Sequence, residues 1–136
     1  MRIYLDENLS EFVAQGFDLL SRKHFPDLQV MSTIDDPDMG RGVQDPDLIP
    51  LLAKKHAVLV TKDISIARTR ALFQLCKEYK LGTFFLKLPQ GSDRHWEIVT
   101  LLVKHWQDIV KATKKDKRPF AYRLTPKAKM EAMAIQ

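Results

Sequence analysis

The chain has 136 residues, 45% of them apolar, with a single cysteine; this composition describes one compact domain whose core needs neither disulfides nor a structural metal. Cys76 has no intrachain partner and no Cys/His set has zinc spacing, which points to a reducing compartment. The net charge of +5 is uneven: residues 111–136 carry eight Lys and Arg against two acids, and the first 110 carry 14 against 15. That basic C-terminal stretch reads equally as a solvated tail or as a nucleic-acid contact.

Ile3-Tyr4-Leu5 is a short β-prone run that meets Asp6 and Glu7 at once. It is too short for a secretory leader, and no apolar run approaches the ~20 residues of a membrane helix. A cytoplasmic protein without membrane contact is expected. Ser10 is placed to cap a helix with Glu11 in its first turn, and Phe12, Val13, Phe17 and Leu20 follow at helical spacing. Leu28–Ser32 has the alternation of a second strand, and the Asp- and Gly-rich segment 35–42 is a loop. Asp45 or Asp47 opens a second helix through Leu48, Leu51, Leu52 and Lys55; Pro46 suits its first turn, whereas Pro50 is awkward unless the helix starts later.

Ala57–Thr61 is a continuous apolar run, as expected of a central strand covered on both faces. A helix from about Ser65 to Tyr79, a stop at Gly82, a strand over 83–88 and a turn at Pro89-Gln90-Gly91 follow. The last helix carries Trp96, Val99, Val103, Trp106 and Val110 at steps of three and four, and both tryptophans are expected in the core. Alternating strands and helices predict an α/β fold of three layers, an open and mainly parallel sheet flanked by helices, joined by right-handed crossovers. The domain is expected to span residues 1–118, with 119–136 a basic C-terminal extension. In that extension, 119–124 can add a short strand and Pro126 onward a helical appendage.

Ligands of such sheets sit at the carboxyl ends of strands, where the strand order reverses. Asp6 ends the first strand, Asp63 follows the central one, and Asp45 with Asp47 opens the helix leading into it. Asp45 can equally serve as a helix cap and Asp63 as a turn residue. Asp6 has no evident packing role. Carboxylates that converge repel: a pair at ~4 Å costs about 4 kcal/mol at an effective dielectric near 20. An oxygen-only set without His or Cys suits Mg²⁺ or Mn²⁺ as the offsetting charge, and metal-assisted phosphodiester hydrolysis is the reaction class implied.

Leu5-Asp6-Glu7-Asn8-Leu9, Gly42-Val43-Gln44-Asp45-Pro46-Asp47-Leu48-Ile49 and Val58-Leu59-Val60-Thr61-Lys62-Asp63 resemble, in order and spacing, the signatures of short PIN-like domain proteins. The resemblance covers residues 1 to about 90. It implies a PIN-like fold, an acidic site for Mg²⁺ or Mn²⁺, and ribonuclease activity, often as the toxin of a VapC-type toxin–antitoxin pair. By position, Asp6, Asp45 and Asp63 would bind the metal, Asn8 would orient a water or a carboxylate, and the Thr61 hydroxyl would hydrogen-bond within the site. Relatives commonly carry a further acid where this chain has Ser65. Either Asp47 or Glu7 supplies that charge or the site holds one weakly bound ion. Lys62 and Arg68 are the expected RNA contacts, Arg70 reads equally as a solvated helix residue, and the aspartates of the 33–42 loop read as solvated. The expected partners are an RNA substrate and an antitoxin protein, with a homodimer left open. Two other readings stand beside this one: a receiver-type phosphoacceptor module, with Asp63 near the end of its third strand, and a catalytically inactive PIN-like scaffold that binds RNA or a partner.

Overall fold

The computed structural model of the protein describes residues 1–89, 91 and 94–134; Gln90, in the expected turn, lies outside them. The elements in chain order are β1 (Arg2–Leu5), α1 (Glu11–Ser21), β2 (Gln29–Ser32), a 3-10 turn (Thr33–Asp35), α2 (Asp45–Lys54), β3 (Val58–Lys62), α3 (Ile66–Glu78), β4 (Gly82–Leu86), α4 (His95–Lys115), β5 (Phe120–Leu124) and β6 (Glu131–Ala132). The strands form one sheet of order β2-β1-β3-β4-β5-β6. β1 to β5 are parallel and β6 is antiparallel to β5. This is the α/β architecture the alternating pattern predicts.

Alternation along the strands sorts the core into two halves. Ile3, Leu5, Val58, Val60, Phe84, Leu86 and Leu124 pack under α1 and α4. Tyr4, Leu59, Phe85 and Ala121 pack under α2 and α3. β3 and β4 are buried on both sides, which is why they read as unbroken apolar runs. α2 begins at Asp45 and runs through Pro50. The ring removes one helical hydrogen bond, and burial of Leu48, Ile49 and Leu52 holds the helix against that loss.

Four expectations change. Trp96 is 73% exposed and Val103 is exposed too. The buried stripe of α4 is instead Ile98, Leu101, Leu102, His105, Trp106, Ile109 and Val110, a different reading of the same three-and-four spacing. Phe12 and Leu20 likewise face solvent, and α1 buries Val13, Ala14 and Phe17. The segment after Pro126 forms no helix among the described residues; it returns as β6, pairing Glu131 with Arg123 and Ala132 with Tyr122. Finally, β3-α3-β4 and β4-α4-β5 step one strand in the same direction with their helices on opposite faces, so the two crossovers have opposite hands. The α4 crossover is the exception to the right-handed rule. Placed on the other face, α4 would leave Val60, Phe84 and Leu124 without the cover it supplies.

β5 continues the parallel sheet beside β4 over five residue pairs, so the basic C-terminal segment begins inside the fold. Among the described residues no helix is long and apolar enough to cross a membrane.

Candidate functional site

From β1 the chain crosses to β2 on one side and then returns past β1 to β3 on the other. The order reverses between β1 and β3, and a crevice opens at their carboxyl ends. Asp6 stands there. Its N–H donates to the Val60 carbonyl at 2.9 Å, extending the β1–β3 pairing by one residue. That extension puts its side chain on the Tyr4 face, under α2 and α3. Thr61, on the same face of β3, donates its hydroxyl to Asp6 Oδ2 at 2.8 Å. The Glu7 N–H donates to Asp6 Oδ1 at 2.7 Å.

Asp6 is 9% exposed. Burial raises its pKa, the Thr61 and Glu7 hydrogen bonds oppose that rise, and the charges of Asp45 and Glu7 add to it. Asp45 arrives on the first turn of α2. The loop before it is pinned to the end of β1, because the Gly42 N–H donates to Glu7 Oε2 at 2.8 Å. Glu7 is thereby committed to the loop. Asp6, Asp45, Thr61, Lys62, Arg68 and Thr69 line one narrow cleft. Among the described residues, neither Asp6 nor Asp45 has a Lys, Arg or His within ion-pair distance.

Asp63 does not join them. Its N–H donates to the Leu86 carbonyl at 2.9 Å. Its carboxylate is closed in, with Thr69 Oγ1 donating to Oδ1 at 2.7 Å and Arg123 Nη2 lying 3.0 Å from Oδ2. Among the described residues no three acidic, His or Cys side chains converge closely enough to hold an ion by themselves. The three-aspartate set therefore stands here as a pair, with the third carboxylate turned toward β5 and α3.

Ser65 caps α3, its hydroxyl accepting the Arg68 N–H at 3.2 Å, which accounts for the residue at the position where an acid was expected. Asp47 is exposed on the first turn of α2. Asn8 lies in the turn after β1, and among the described residues its buried Oδ1 has no hydrogen-bond partner. Lys62 is half-buried and Arg68 exposed at the cleft, while Arg70 lines a separate cavity beside Arg123. Asp36, in the loop expected to be solvated, is instead buried: the Tyr4 hydroxyl donates to its Oδ2 at 2.5 Å, and Lys55 lies 3.6 Å away. Thr69 and Arg123 were not singled out from sequence. The available signal was an arginine inside the otherwise apolar run Phe120–Leu124.

The donor chemistry fits one hard divalent cation better than it fits two. Asp6 and Asp45 offer carboxylate oxygens, and among the described residues nothing of opposite charge is paired with them. Mg²⁺ and Mn²⁺ accept such oxygen-only sets and keep waters in the remaining positions.

A family model described as a PIN-like domain matches residues 1–88, almost two-thirds of the chain. No curated protein and no solved structure matches it. The matched segment holds β1, β3 and the first turn of α2, and with them Asp6, Asp45, Thr61 and Asp63. By that match and by its mainly parallel sheet flanked by helices, the chain belongs to the PIN-like domain family, a nuclease-type fold.

Proposed function

We propose that this protein is an Mg²⁺- or Mn²⁺-dependent endoribonuclease that hydrolyses RNA phosphodiesters and serves as the toxin of a toxin–antitoxin pair. One observation carries the reading: Asp6, buried and hydrogen-bonded to Thr61, faces Asp45 in a cleft that, among the described residues, pairs neither carboxylate with a protein cation. Such a pair is electrostatically incomplete, and a divalent ion completes it. Asp6 and Asp45 would hold the ion, which when bound supplies Lewis-acid stabilisation of charge building on a phosphoryl oxygen.

The residues of the chain do the rest. Thr61 and the Glu7 N–H orient the Asp6 carboxylate and favour its ionised form against the burial that disfavours it. Lys62 and Arg68, at the rim of the same cleft, attract and position the phosphate backbone. The basic C-terminal segment is a further contact for RNA, for the antitoxin or for a second subunit.

The test is RNA cleavage in Mn²⁺ by the purified protein and by its Asp6→Asn and Asp45→Asn variants. Loss of cleavage in both is expected; undiminished cleavage overturns the assignment. Growth arrest on expression, relieved by the product of a neighbouring small gene, tests the toxin role.

The closed carboxylate of Asp63 favours one second reading, a PIN-like scaffold that binds RNA without cutting it. Metal-dependent RNA binding with no cleavage would select it. The same closure weighs against the phosphoacceptor module, because the Asp63 side chain is only 3% exposed. Lys87 also follows β4 and Thr125 follows β5, the reverse of the order such a module needs.

A further inference from the structure

Asp63 follows the central strand at the reversal of strand order, a position that should place its charge in the crevice, yet that charge is spent elsewhere. Arg123 sits on β5, level in register with Phe85 of β4 and Thr61 of β3. Alternation turns it to the Ala121 face, the same side of the sheet as Asp6, Thr61 and Asp63. Its side chain spans β4 to bring Nη2 within 3.0 Å of Asp63 Oδ2, while Thr69 from α3 occupies Oδ1 at 2.7 Å. Oδ1 is hydrogen-bonded, whereas the buried Oδ2 has no hydrogen-bond partner among the described residues and is balanced by the nearby guanidinium charge alone.

The Arg123 side chain is itself 40% exposed. It lines a cavity of about 380 Å³ with Ile66, Thr69, Arg70, Glu131 and Met133. Among the described residues the buried Arg123 Nε has no hydrogen-bond partner. The guanidinium thus meets Asp63 through Nη2, as an ion pair.

We propose that Arg123 is a positioning residue that keeps Asp63 out of the metal-binding set, so that the resting site is a two-carboxylate site and the strand pair β5–β6 sets its affinity for a divalent ion. The inference rests on the functional reading above. A guanidinium neutralises Asp63 without ligating an ion, so the cation meets two negative side chains instead of three. Ligand charge count tunes the affinity of oxygen-donor sites. Removing the Arg123 charge leaves Asp63 held by the Thr69 hydroxyl alone, and its uncompensated carboxylate can then turn toward a cation held by Asp6 and Asp45. The C-terminal segment, which begins beyond the family match, thereby acts on the chemistry of the matched part.

Mn²⁺ titration by calorimetry, with no RNA present, tests this on the full chain. Arg123→Gln should bind Mn²⁺ roughly tenfold more tightly than the native protein. Arg123→Lys, which retains the charge, should stay at the native value. Asp63→Asn, which removes no ligand but leaves the Arg123 charge unpaired, should still bind Mn²⁺ and no more tightly than the native protein, and the double variant Arg123→Gln/Asp63→Asn should lose the gain. An Arg123→Gln protein with native affinity overturns the proposal, as does an Asp63→Asn protein that no longer binds. The second result needs no stable Arg123 variant, so the proposal stays testable if Arg123→Gln fails to fold. Asp6→Asn in the same titration isolates the functional reading: undiminished binding there defeats the metal site itself, whatever the Arg123 variants show.

Discussion

The Thr61 hydroxyl and Asp6 Oδ2 are 2.8 Å apart although 55 positions separate the two residues in sequence. The bond exists because β1 and β3 are neighbours in the sheet and both side chains emerge on the α2/α3 face. Thr61→Val keeps the volume and removes the donor. A hydrogen bond to a charged group contributes about 1.5–3 kcal/mol, so urea unfolding should show a loss of that order. Mn²⁺ affinity should fall as well, because Asp6 then ionises less readily. Thr61→Ser should restore both; a Val variant with native stability and native Mn²⁺ affinity would remove Thr61 from the site.

Asp6 also gives the protein a distinctive pH response. Its folded pKa lies above the ordinary 3.8, chiefly through burial. Between those values the folded state binds more protons than the unfolded state, so its contribution to stability falls as pH rises through that window. Metal-free Asp6→Asn should therefore equal or exceed the native protein in melting temperature at pH 7 and show a flatter pH dependence from pH 4 upward. Mn²⁺ binds the ionised form, so it should raise the native melting temperature more than that of the variant. Parallel pH responses with and without Mn²⁺ would contradict this.

Asp36 behaves in the opposite sense. Burial pushes its carboxyl up, but the Tyr4 hydroxyl, the Asp38 N–H and Lys55 together hold it below the usual carboxylate range. Its stabilising contribution is present above the unfolded value and is lost as pH falls through the folded one. Tyr4→Phe should cost about 1–3 kcal/mol at pH 7, with the gap from the native protein narrowing toward pH 3. Equal denaturation midpoints at pH 7 would show that the buried pair contributes nothing.

The two tryptophans should separate cleanly in fluorescence. Trp106 packs on Phe17 with ring centroids 4.5 Å apart and donates Nε1–H to Ser21 Oγ at 2.8 Å, whereas Trp96 is open to solvent. Iodide should quench Trp106→Phe, which retains Trp96, far more than Trp96→Phe. Trp96→Ala should change stability by less than about 0.5 kcal/mol, and Trp106→Ala should cost about 3–5 kcal/mol. Similar quenching of the two single-tryptophan proteins would refute this placement.

Gly82 marks a close approach between neighbouring strands. A Cβ there would collide with the Phe120 ring across the β4–β5 pair. Gly82→Ala should cost about 1–3 kcal/mol through overpacking, and Phe120→Leu in the same chain should recover part of it. A double variant no more stable than Gly82→Ala would place the strain elsewhere.

The amino-acid sequence by itself determined the alternation of strands and helices, the centrality of β3 and the positions of Asp6, Asp45 and Thr61, because buried parallel strands, helix starts and turn residues follow local rules of pattern and propensity. It also left open which of several three-and-four stripes α4 buries, and there the spacing of Trp96 and Val103 fitted the wrong face, since periodicity defines a helix but not its rotation against the sheet. Only the tertiary structure decided which way Asp63 turns. Its partners, Thr69 and Arg123, lie 6 and 60 positions away, and Arg123 is brought near by the addition of β5 beside β4. The choice between a carboxylate offered to a cation and one neutralised by an arginine depends on which charge the fold delivers to that spot, and strand order fixes that delivery.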